Sequence, residues 1–287
     1  MSAIWKTEEG GRAVLERYRA FLAQWPKPNE QFTVPTREGD TFVVACGPAD
    51  APPLLLFHGS ASNSFMWMMD AALWSRHFRV YAIDIIGEPG LSAPSRPTLA
   101  SGAYPLWLDD VLAGLKIETA SLVGISLGGW LALDYGSRRP QKISAVAVLC
   151  PGGVGRHKNV LLWAAPLMLL GSWGRRKASA IIAGPRKPGA PEMPKIVTDF
   201  LALVFRHFRV RRERLPVITD AALGRLTMPV LAILGARDAM IDSAGTRRRI
   251  EANAPRAEIR WLAEDGHFLR GQAQPIDDFL RRANGTP

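Results

Sequence analysis

The sequence predicts an α/β fold in which a mostly parallel, eight-stranded sheet is covered by helices on both faces. Short apolar stretches that suit strands alternate along the chain with helix-like stretches of about ten residues or more. Two of the apolar stretches, PPLLLF and ASLVGI, are continuous rather than alternating, as expected of strands buried on both faces. The length of 287 residues suits one large domain of this kind or two small ones.

Each element follows from a local pattern. Apolar residues recur at helical spacing from Val14 to Trp25, and Pro26 is expected to end this first helix. QFTVP and TFVVAC flank the turn-rich TREGD and predict a β-hairpin. Six further strands are predicted at PPLLLF, FRVYAI, ASLVGI, ISAVAVLC, MPVLAIL and AEIRWLA. Helices are predicted at NSFMWMMDAALWSRH, YPLWLDDVLAGLKI, LGGWLALDYGSRRP, SAGTRRRIEANA and PIDDFLRRAN.

The net charge of +10 is confined to one segment of the chain. Residues 152–228 contain 14 basic and 4 acidic side chains, whereas the remainder contains 22 of each. We therefore divide the chain into residues 1–151, a basic insertion at 152–228, and residues 229–287. The stretch RHFRVRRER raises the hypothesis of nucleic-acid binding, but few aromatic residues interleave it and no recognition motif accompanies it. A solvated basic face fits better, and no nucleic-acid partner is expected.

The composition also limits the class of protein. The first residues lack a basic region followed by an apolar core, so no secretory signal is expected. The longest apolar stretch, at 160–171, is too short to span a bilayer and contains Pro166. Cys46 and Cys150 match no disulfide or metal pattern and are expected to be small buried hydrophobes, which fits a cytoplasmic, reducing location. No metal-ligand cluster and no phosphate-binding glycine loop occurs, so no metal and no cofactor are expected.

Polar side chains follow three of the predicted strands. Ser126 follows ASLVGI, Asp238 follows VLAILGAR and His267 follows IRWLAEDG. Functional groups of such sheets collect at the carboxyl ends of the strands, so we expect these three to meet. A serine hydroxyl becomes a nucleophile when a neighbouring base takes its proton, and a carboxylate can orient that base. The pattern predicts Ser126 as nucleophile, His267 as base and Asp238 as its partner.

Other interpretations of these residues stay open at this point. Ser126 would otherwise be an ordinary helix N-cap, and His267 an ordinary hydrogen-bonded histidine. Asp238 would otherwise form a turn or a salt bridge to Arg237. Asp242 is the one nearby rival acid, but it lies four residues further from the strand end. Three other histidines stand in charged surroundings and are expected at the surface, namely His77, His157 and His207.

Four short motifs now complete the pattern: HGS at 58–60, GISLGG at 124–129, GARD at 235–238 and GH at 266–267. With these motifs, the sequence from about Phe32 to Leu280 resembles the α/β-hydrolase superfamily. It is most similar to the carboxylesterase-like members that carry a single cap insertion, and this resemblance identifies 152–228 as a helical cap. Serine at the centre of GISLGG argues against dehalogenases and epoxide hydrolases, which carry aspartate there. The usual D-x-x-G-x-G-x-S motif occurs here as DIIGEPGLS, which is one residue longer.

The resemblance implies the remaining roles. His58 would hold the loop that follows the third strand. Donors to the oxyanion would be the backbone amides of Leu127, at a helix N-terminus, and Ser60, with Ala61 as the next choice. Three apolar residues are candidates to line the substrate cavity, and core packing is an equal alternative for the first two: Trp67, Met68 and Trp163.

These expectations point to a serine hydrolase that cleaves a small apolar or amphipathic carboxylic ester through an acyl-enzyme. Rival activities are those of a thioesterase, a lactonase or a carbon–carbon bond hydrolase, and a non-catalytic binding protein is a further rival. The charge of residues 152–228 would steer anionic substrates or attract an acidic membrane surface, although solubility alone is the simpler explanation. The oligomeric state stays open.

Overall fold

A computed structural model of the chain describes residues 4–26, 28–159, 166–167, 169–184 and 194–285. Eight strands form one sheet in the order β1-β2-β4-β3-β5-β6-β7-β8. Strand β2 is antiparallel to β1 and β4, and every other pair is parallel. The strands are β1 (Asn29–Val34), β2 (Thr41–Cys46), β3 (Pro53–Phe57), β4 (Arg79–Ile83), β5 (Ala120–Ile125), β6 (Ile143–Leu149), β7 (Val230–Gly235) and β8 (Ala257–Leu262). The predicted mostly parallel, eight-stranded sheet is confirmed.

Helices connect the strands and cover both faces of the sheet. Within the described residues they are α1 (Glu8–Leu22), α2 (Met68–Trp74), α3 (Ala103–Gly114), α4 (Leu127–Arg138), α5 (Gly171–Ala183), α6 (Lys195–His207), α7 (Asp220–Gly224), α8 (Ser243–Asn253) and α9 (Ala273–Asn284). Two differences from the predicted helices are small. The first helix ends at Leu22 rather than near Pro26, and a 3₁₀ turn at Ser64–Trp67 precedes α2.

The core consists of two apolar layers, one on each face of the sheet. Side chains alternate along the strands, so Leu55 and Phe57 of β3 belong to one layer and Leu54 and Leu56 to the other. Cys46 and Cys150 are free and buried, as predicted. No helix in the described part of the chain is long and apolar enough to cross a membrane.

Helix α1 packs against α6, which belongs to the segment 152–228. The rings of Phe21 and Phe200 meet with centroids 5.2 Å apart, and Phe65 contacts both of them. Lys6 Nζ donates to the carbonyls of Phe205 and Arg206 at the C-terminus of α6, where a positive charge is favourable. The N-terminal helix therefore holds this part of the basic segment against the sheet.

Strand β5 and helix α4 approach each other too closely for side chains at two positions. A Cβ on Gly124 would lie 2.3 Å from the Gly128 carbonyl oxygen. A Cβ on Gly128 would lie 2.1 Å from the carbonyl oxygen of Phe57 and 2.7 Å from that of His58. Because the obstructing atoms belong to backbone at the end of β3, they cannot move aside as a side-chain tip could. These glycines let the first turn of α4 lie directly against β3 and its following loop.

This crossing gives a prediction for two glycines of the same helix. Gly128→Ala should destabilise the protein by about 3 kcal/mol or more, at the upper end of overpacking costs. Gly136→Ala is the matched control, since its Cβ would meet only side-chain atoms, the nearest at 3.3 Å. Because alanine has a better helix propensity than glycine, the free energy of unfolding of Gly136→Ala should stay within about 1 kcal/mol of the wild-type value. Urea denaturation measures the free energy of unfolding of both variants. Equal losses of stability would show that the backbone contact of Gly128 is not the cause.

Candidate active site

Ser126 occupies the turn between β5 and α4 in a strained backbone conformation. Its φ of 54° is uncommon for a residue with a side chain. The Ser126 amide donates to the Leu149 carbonyl, and its carbonyl accepts from the amides of Trp130 and Gly152. The side chain makes no capping hydrogen bond to α4, so Ser126 is not an ordinary N-cap. The backbone is thus fixed on both sides while the half-buried hydroxyl stays available.

Asp238 and His267 lie together after strands β7 and β8. His267 Nδ1 and Asp238 Oδ2 are 2.7 Å apart, and both side chains are almost fully buried. The second oxygen of Asp238 accepts from the amides of Met240 and Ile241 at 2.7 and 3.0 Å. An ionised carboxylate with this set of partners holds the proton of His267 on Nδ1, which leaves Nε2 as a base.

The electrostatics of this pair keep Asp238 ionised. Burial by itself would raise the pKa of Asp238. The hydrogen bond and charge of His267, together with the amides of Met240 and Ile241, outweigh burial and lower that pKa. A permanently charged carboxylate is what stabilises an imidazolium when His267 takes up a proton.

Asp242 and Arg237, the alternative partners that the sequence raised, are bonded to other groups. Asp242 caps helix α8, where its side chain accepts from the Gly245 amide at 2.9 Å. Arg237 pairs with Glu264 rather than with Asp238. The structure therefore brings His267 together with Asp238 and not with Asp242.

Cys150 lies behind this pair and was not singled out by the sequence. Its Sγ is 3.9 Å from the Gly266 carbonyl oxygen, next to His267. Ligand-type atoms of Cys150, Asp238 and His267 all lie within 4.8 Å of one another. Burial and the nearby Asp238 raise the pKa of the thiol well above its usual range, and the Asp238–His267 hydrogen bond occupies both of those groups. The arrangement suits proton transfer better than metal binding, which needs a deprotonated thiol.

Two backbone amides near Ser126 are suited to bind an oxyanion. A Cβ on Gly59 would lie 3.8 Å from Ser126 Cβ, which places the loop after β3 directly beside the serine. The amides of Ser60 and Leu127 have no hydrogen-bond partner within the described residues. The Ala61 amide, the next choice from the sequence, donates instead to Glu88 at 2.6 Å. Ser60 and Leu127 are therefore the two available donors.

His58 shapes the start of this loop as a neutral imidazole. The Ile85 amide donates to His58 Nε2 at 2.9 Å, so the ring proton belongs on Nδ1, which lies 2.8 Å from the Gly59 carbonyl oxygen. Burial lowers the pKa of His58 despite the opposing effects of Asp84 and the Gly59 carbonyl. The side chain connects the loop after β3 to the loop after β4.

Asp84 connects the same two loops and also reaches the N-terminal helix. Its carboxylate accepts from the Ser64 amide and hydroxyl, from the Tyr18 hydroxyl and from the Leu91 amide, all at 2.7–2.9 Å. A fully buried carboxylate with four donors is a satisfied structural centre. It is the aspartate of DIIGEPGLS, a motif that the sequence identified without assigning this role.

The predicted substrate-lining residues have different surroundings. Trp67 is 3% exposed and packs on Trp74 within the apolar core, so the core alternative describes it better. Met68 is half-buried and packs against the same layer. Trp163 lies outside the described residues.

Of the three histidines expected at the surface, His157 is exposed and the others, His77 and His207, are half-buried.

The chain matches known hydrolases in sequence and in fold. A sequence model described as "Alpha/beta hydrolase family" matches residues 54–282. Carboxylesterase YbfK of Bacillus subtilis is 32% identical over 269 residues, covering 91% of this chain and 89% of that protein. The structure of naproxen esterase (carboxylesterase NP) from Bacillus subtilis superposes with a TM-score of 0.82 at 30% identity, covering 96% of this chain and 99% of the other.

The crystal structure of carboxylesterase CesB (YbfK) from Bacillus subtilis gives a TM-score of 0.79 at 31% identity, over 96% of this chain and 97% of that one. Fold and sequence agree, and the chain belongs to the alpha/beta hydrolase family as a carboxylesterase-like member.

Proposed function

We propose that this protein hydrolyses small apolar or amphipathic carboxylic esters through an acyl-enzyme on Ser126. The reaction class follows from its carboxylesterase relatives: the chain is a carboxylic ester hydrolase of the serine type. The assignment of residues is supported above all by one observation, the buried 2.7 Å contact between His267 Nδ1 and Asp238 Oδ2. That contact follows strands β7 and β8, and Ser126, which is held at positive φ, follows β5 of the same sheet.

In the proposed mechanism, His267 Nε2 takes the proton of Ser126 Oγ as this oxygen attacks the ester carbonyl carbon. The tetrahedral intermediate places its negative oxygen toward the amides of Ser60 and Leu127. Collapse breaks the bond to the alcohol oxygen, which receives the proton from His267. Water, deprotonated by His267, then attacks the acyl carbon. Collapse of the second intermediate breaks the bond to Ser126 Oγ, which takes the proton from His267, so the carboxylic acid is released and free Ser126 is regenerated. Asp238 stabilises each imidazolium that forms.

The segment 152–228 is proposed to act as a cap over this site. Support comes from its attachments near the proposed triad. Lys158 Nζ donates to the Asp238 carbonyl at 2.6 Å, and the Gly152 amide donates to the Ser126 carbonyl at 3.1 Å. A cytoplasmic location is also proposed, because two buried free cysteines are typical of proteins from reducing compartments.

Thioester, lactone and carbon–carbon bond hydrolysis are alternative activities for the same residues, because all of them pass through an attack on a carbonyl carbon. Rates on p-nitrophenyl esters of graded chain length, compared with matched thioesters and lactones, distinguish these substrates. A binding protein without catalysis would turn over none of them.

The first prediction for this mechanism concerns the nucleophile. A fluorophosphonate probe should label wild-type protein once per chain, because Ser126 Oγ attacks the phosphorus, displaces fluoride and becomes phosphonylated. Ser126→Ala should remove both the label and the esterase activity, and intact-mass spectrometry with a colorimetric ester assay measures both. Esterase activity that survives in Ser126→Ala would exclude the serine mechanism.

The second prediction concerns the acid. Asp238→Asn should lower kcat by about 10⁴-fold, since an amide cannot hold His267 in the required tautomer. His267→Ala should cost a similar factor, and adding Ser126→Ala to it should cost little more because the residues act as a unit. Asp242→Asn is the matched control, because asparagine still caps α8 and the residue does not touch His267. Near-normal turnover in Asp238→Asn would overturn the choice of acid.

A surface contact with anionic lipid is proposed for the end of the basic segment. Exposed apolar side chains there are Phe205, Val210 and Val217. Exposed arginines interleave them, namely Arg206, Arg209, Arg212 and Arg214. Apolar side chains among cations suit the boundary between lipid headgroups and acyl chains. The sequence offers three further apolar candidates for this contact: Leu167, which is half-buried, and Trp163 and Met168, which lie outside the described residues.

The third prediction tests this surface by vesicle co-sedimentation. Changing Arg209, Arg212 and Arg214 to Gln should weaken binding to anionic vesicles on the order of 100-fold at low salt, since each exposed cation near such a surface contributes about 1 kcal/mol. Arg211 is left unchanged because it is largely buried and bonded to Tyr104. The matched control changes three exposed arginines of the electrically neutral remainder of the chain, Arg248, Arg256 and Arg282.

Higher salt should weaken wild-type binding, because the screening length falls to about 8 Å at physiological ionic strength and below that in stronger salt. Equal binding to anionic and zwitterionic vesicles, or no binding to either, would leave solubility as the explanation for the charge.

A further inference from the structure

Glu88 is a buried carboxylate beside the proposed oxyanion loop, and the ester-hydrolysis mechanism above does not use it. It stands in DIIGEPGLS, the motif that is one residue longer than usual. Glu88 is only 1% exposed, and its Oε2 accepts a hydrogen bond from the Ala61 amide at 2.6 Å. A buried carboxylate is costly to keep, so its presence beside the loop calls for a function.

Ala61 is a residue whose conformation needs such support. Its φ of 57° lies in the left-handed region, which disfavours residues other than glycine. It directly follows Ser60, whose amide is one of the two available donors. An outside hydrogen bond to the Ala61 amide therefore fixes the peptide unit between Ser60 and Ala61. Without that bond, relaxation of Ala61 would turn the adjoining Ser60 amide.

The rest of the loop is anchored on either side of this point. His58 Nε2 accepts from the Ile85 amide, and Asn63 Nδ2 donates to the Pro89 carbonyl at 2.9 Å. These contacts hold the two ends of the loop, whereas Glu88 holds its middle. Two contacts adjoin Ser60: His58 Nδ1 donates to the Gly59 carbonyl before it, and Glu88 accepts from the Ala61 amide after it.

Two arginines whose charges act on Glu88 are hydrogen-bonded to other groups. Arg96 Nε donates to the Gly87 carbonyl at 2.9 Å, and Arg211 Nη2 donates to the Tyr104 hydroxyl at 2.8 Å. Burial raises the pKa of Glu88 to about 7, although the Ala61 amide and the charges of Arg96 and Arg211 act in the opposite direction. Arg211 belongs to the basic segment, so this group also connects the loop to residues 152–228.

We propose that Glu88 is a positioning residue, which orients the Ser60 amide toward the oxyanion by holding the Ala61 amide. This proposal rests on the proposed function, since it presupposes an oxyanion on a carbonyl attacked by Ser126. It assigns the extra length of DIIGEPGLS to the accuracy of the oxyanion site. If Glu88 only stabilised the fold, replacing it would lower the amount of active protein and leave the rate per active site unchanged.

The test compares two variants of similar volume that differ in one acceptor atom. Glu88→Gln keeps an oxygen that can accept from the Ala61 amide, whereas Glu88→Met does not. Active sites are first counted with a fluorophosphonate, so that all rates are expressed per active site. Glu88→Met should lower kcat on p-nitrophenyl butyrate by about 10- to 100-fold, below or at the cost of losing one oxyanion donor. KM should stay unchanged, and Glu88→Gln should retain most of the wild-type rate.

The decisive readout is inhibition by an alkyl trifluoromethyl ketone, which forms a hemiketal oxyanion on Ser126. Its Ki should rise in Glu88→Met by the same factor as kcat/KM falls. Glu213→Gln is the matched control, because Glu213 pairs with Arg211 and accepts from the Leu99 amide without touching the oxyanion loop. It should leave Ki and kcat/KM at wild-type values. If Glu88→Met does not fold, Glu88→Ala replaces it.

An unchanged Ki and kcat/KM per active site in Glu88→Met would overturn the proposal, and so would equal losses in Glu88→Gln and Glu88→Met. Failure of the proposed function looks different, because wild-type protein would then resist both the ketone and the fluorophosphonate.

Discussion

The close crossing of strand β5 and helix α4 determines where the other parts of the site can lie. Gly124 and Gly128 remove the side chains that would hold the two elements apart, and the first turn of α4 then rests on the carbonyls of Phe57 and His58. The same crossing forces Ser126 into positive φ and places the Leu127 amide beside the loop after β3. The proposed nucleophile and oxyanion donors are thus positioned by one backbone contact, with no need for long side chains.

Buried carboxylates secure the loops around that crossing, and their environments set different charges. Asp84 satisfies four donors, and Asp238 has His267 and two amides, so the pKa of Asp238 is lowered. Glu88 has one amide and no direct cation contact within the described residues, so burial raises its pKa to about 7. The same chemical group is therefore held ionised beside His267, whereas beside Ala61 it is about half protonated near pH 7.

The basic segment is attached to the site at several points rather than joined by a free hinge. Lys158 bonds to the carbonyl of Asp238, Glu213 accepts from the Leu99 amide, and Arg211 lies among Tyr104, Pro97 and Glu88. Helix α1 supports α6 from the other side through Phe21 and Phe200. Within the described residues, this segment therefore contacts the acid turn directly through Lys158 and acts on Glu88 through the charge of Arg211.

The sequence by itself determined the sheet and the order of elements, and it proposed Ser126, Asp238 and His267, because periodicity and strand ends are local features of the chain. Only the tertiary structure shows that Asp238 rather than Asp242 contacts His267, that the Ala61 amide is bonded to Glu88, and that Trp67 lies in the core. It also revealed Cys150 and Glu88 beside the site. These choices depend on which groups from distant loops compete for the same hydrogen bonds, and a linear pattern does not contain those distances.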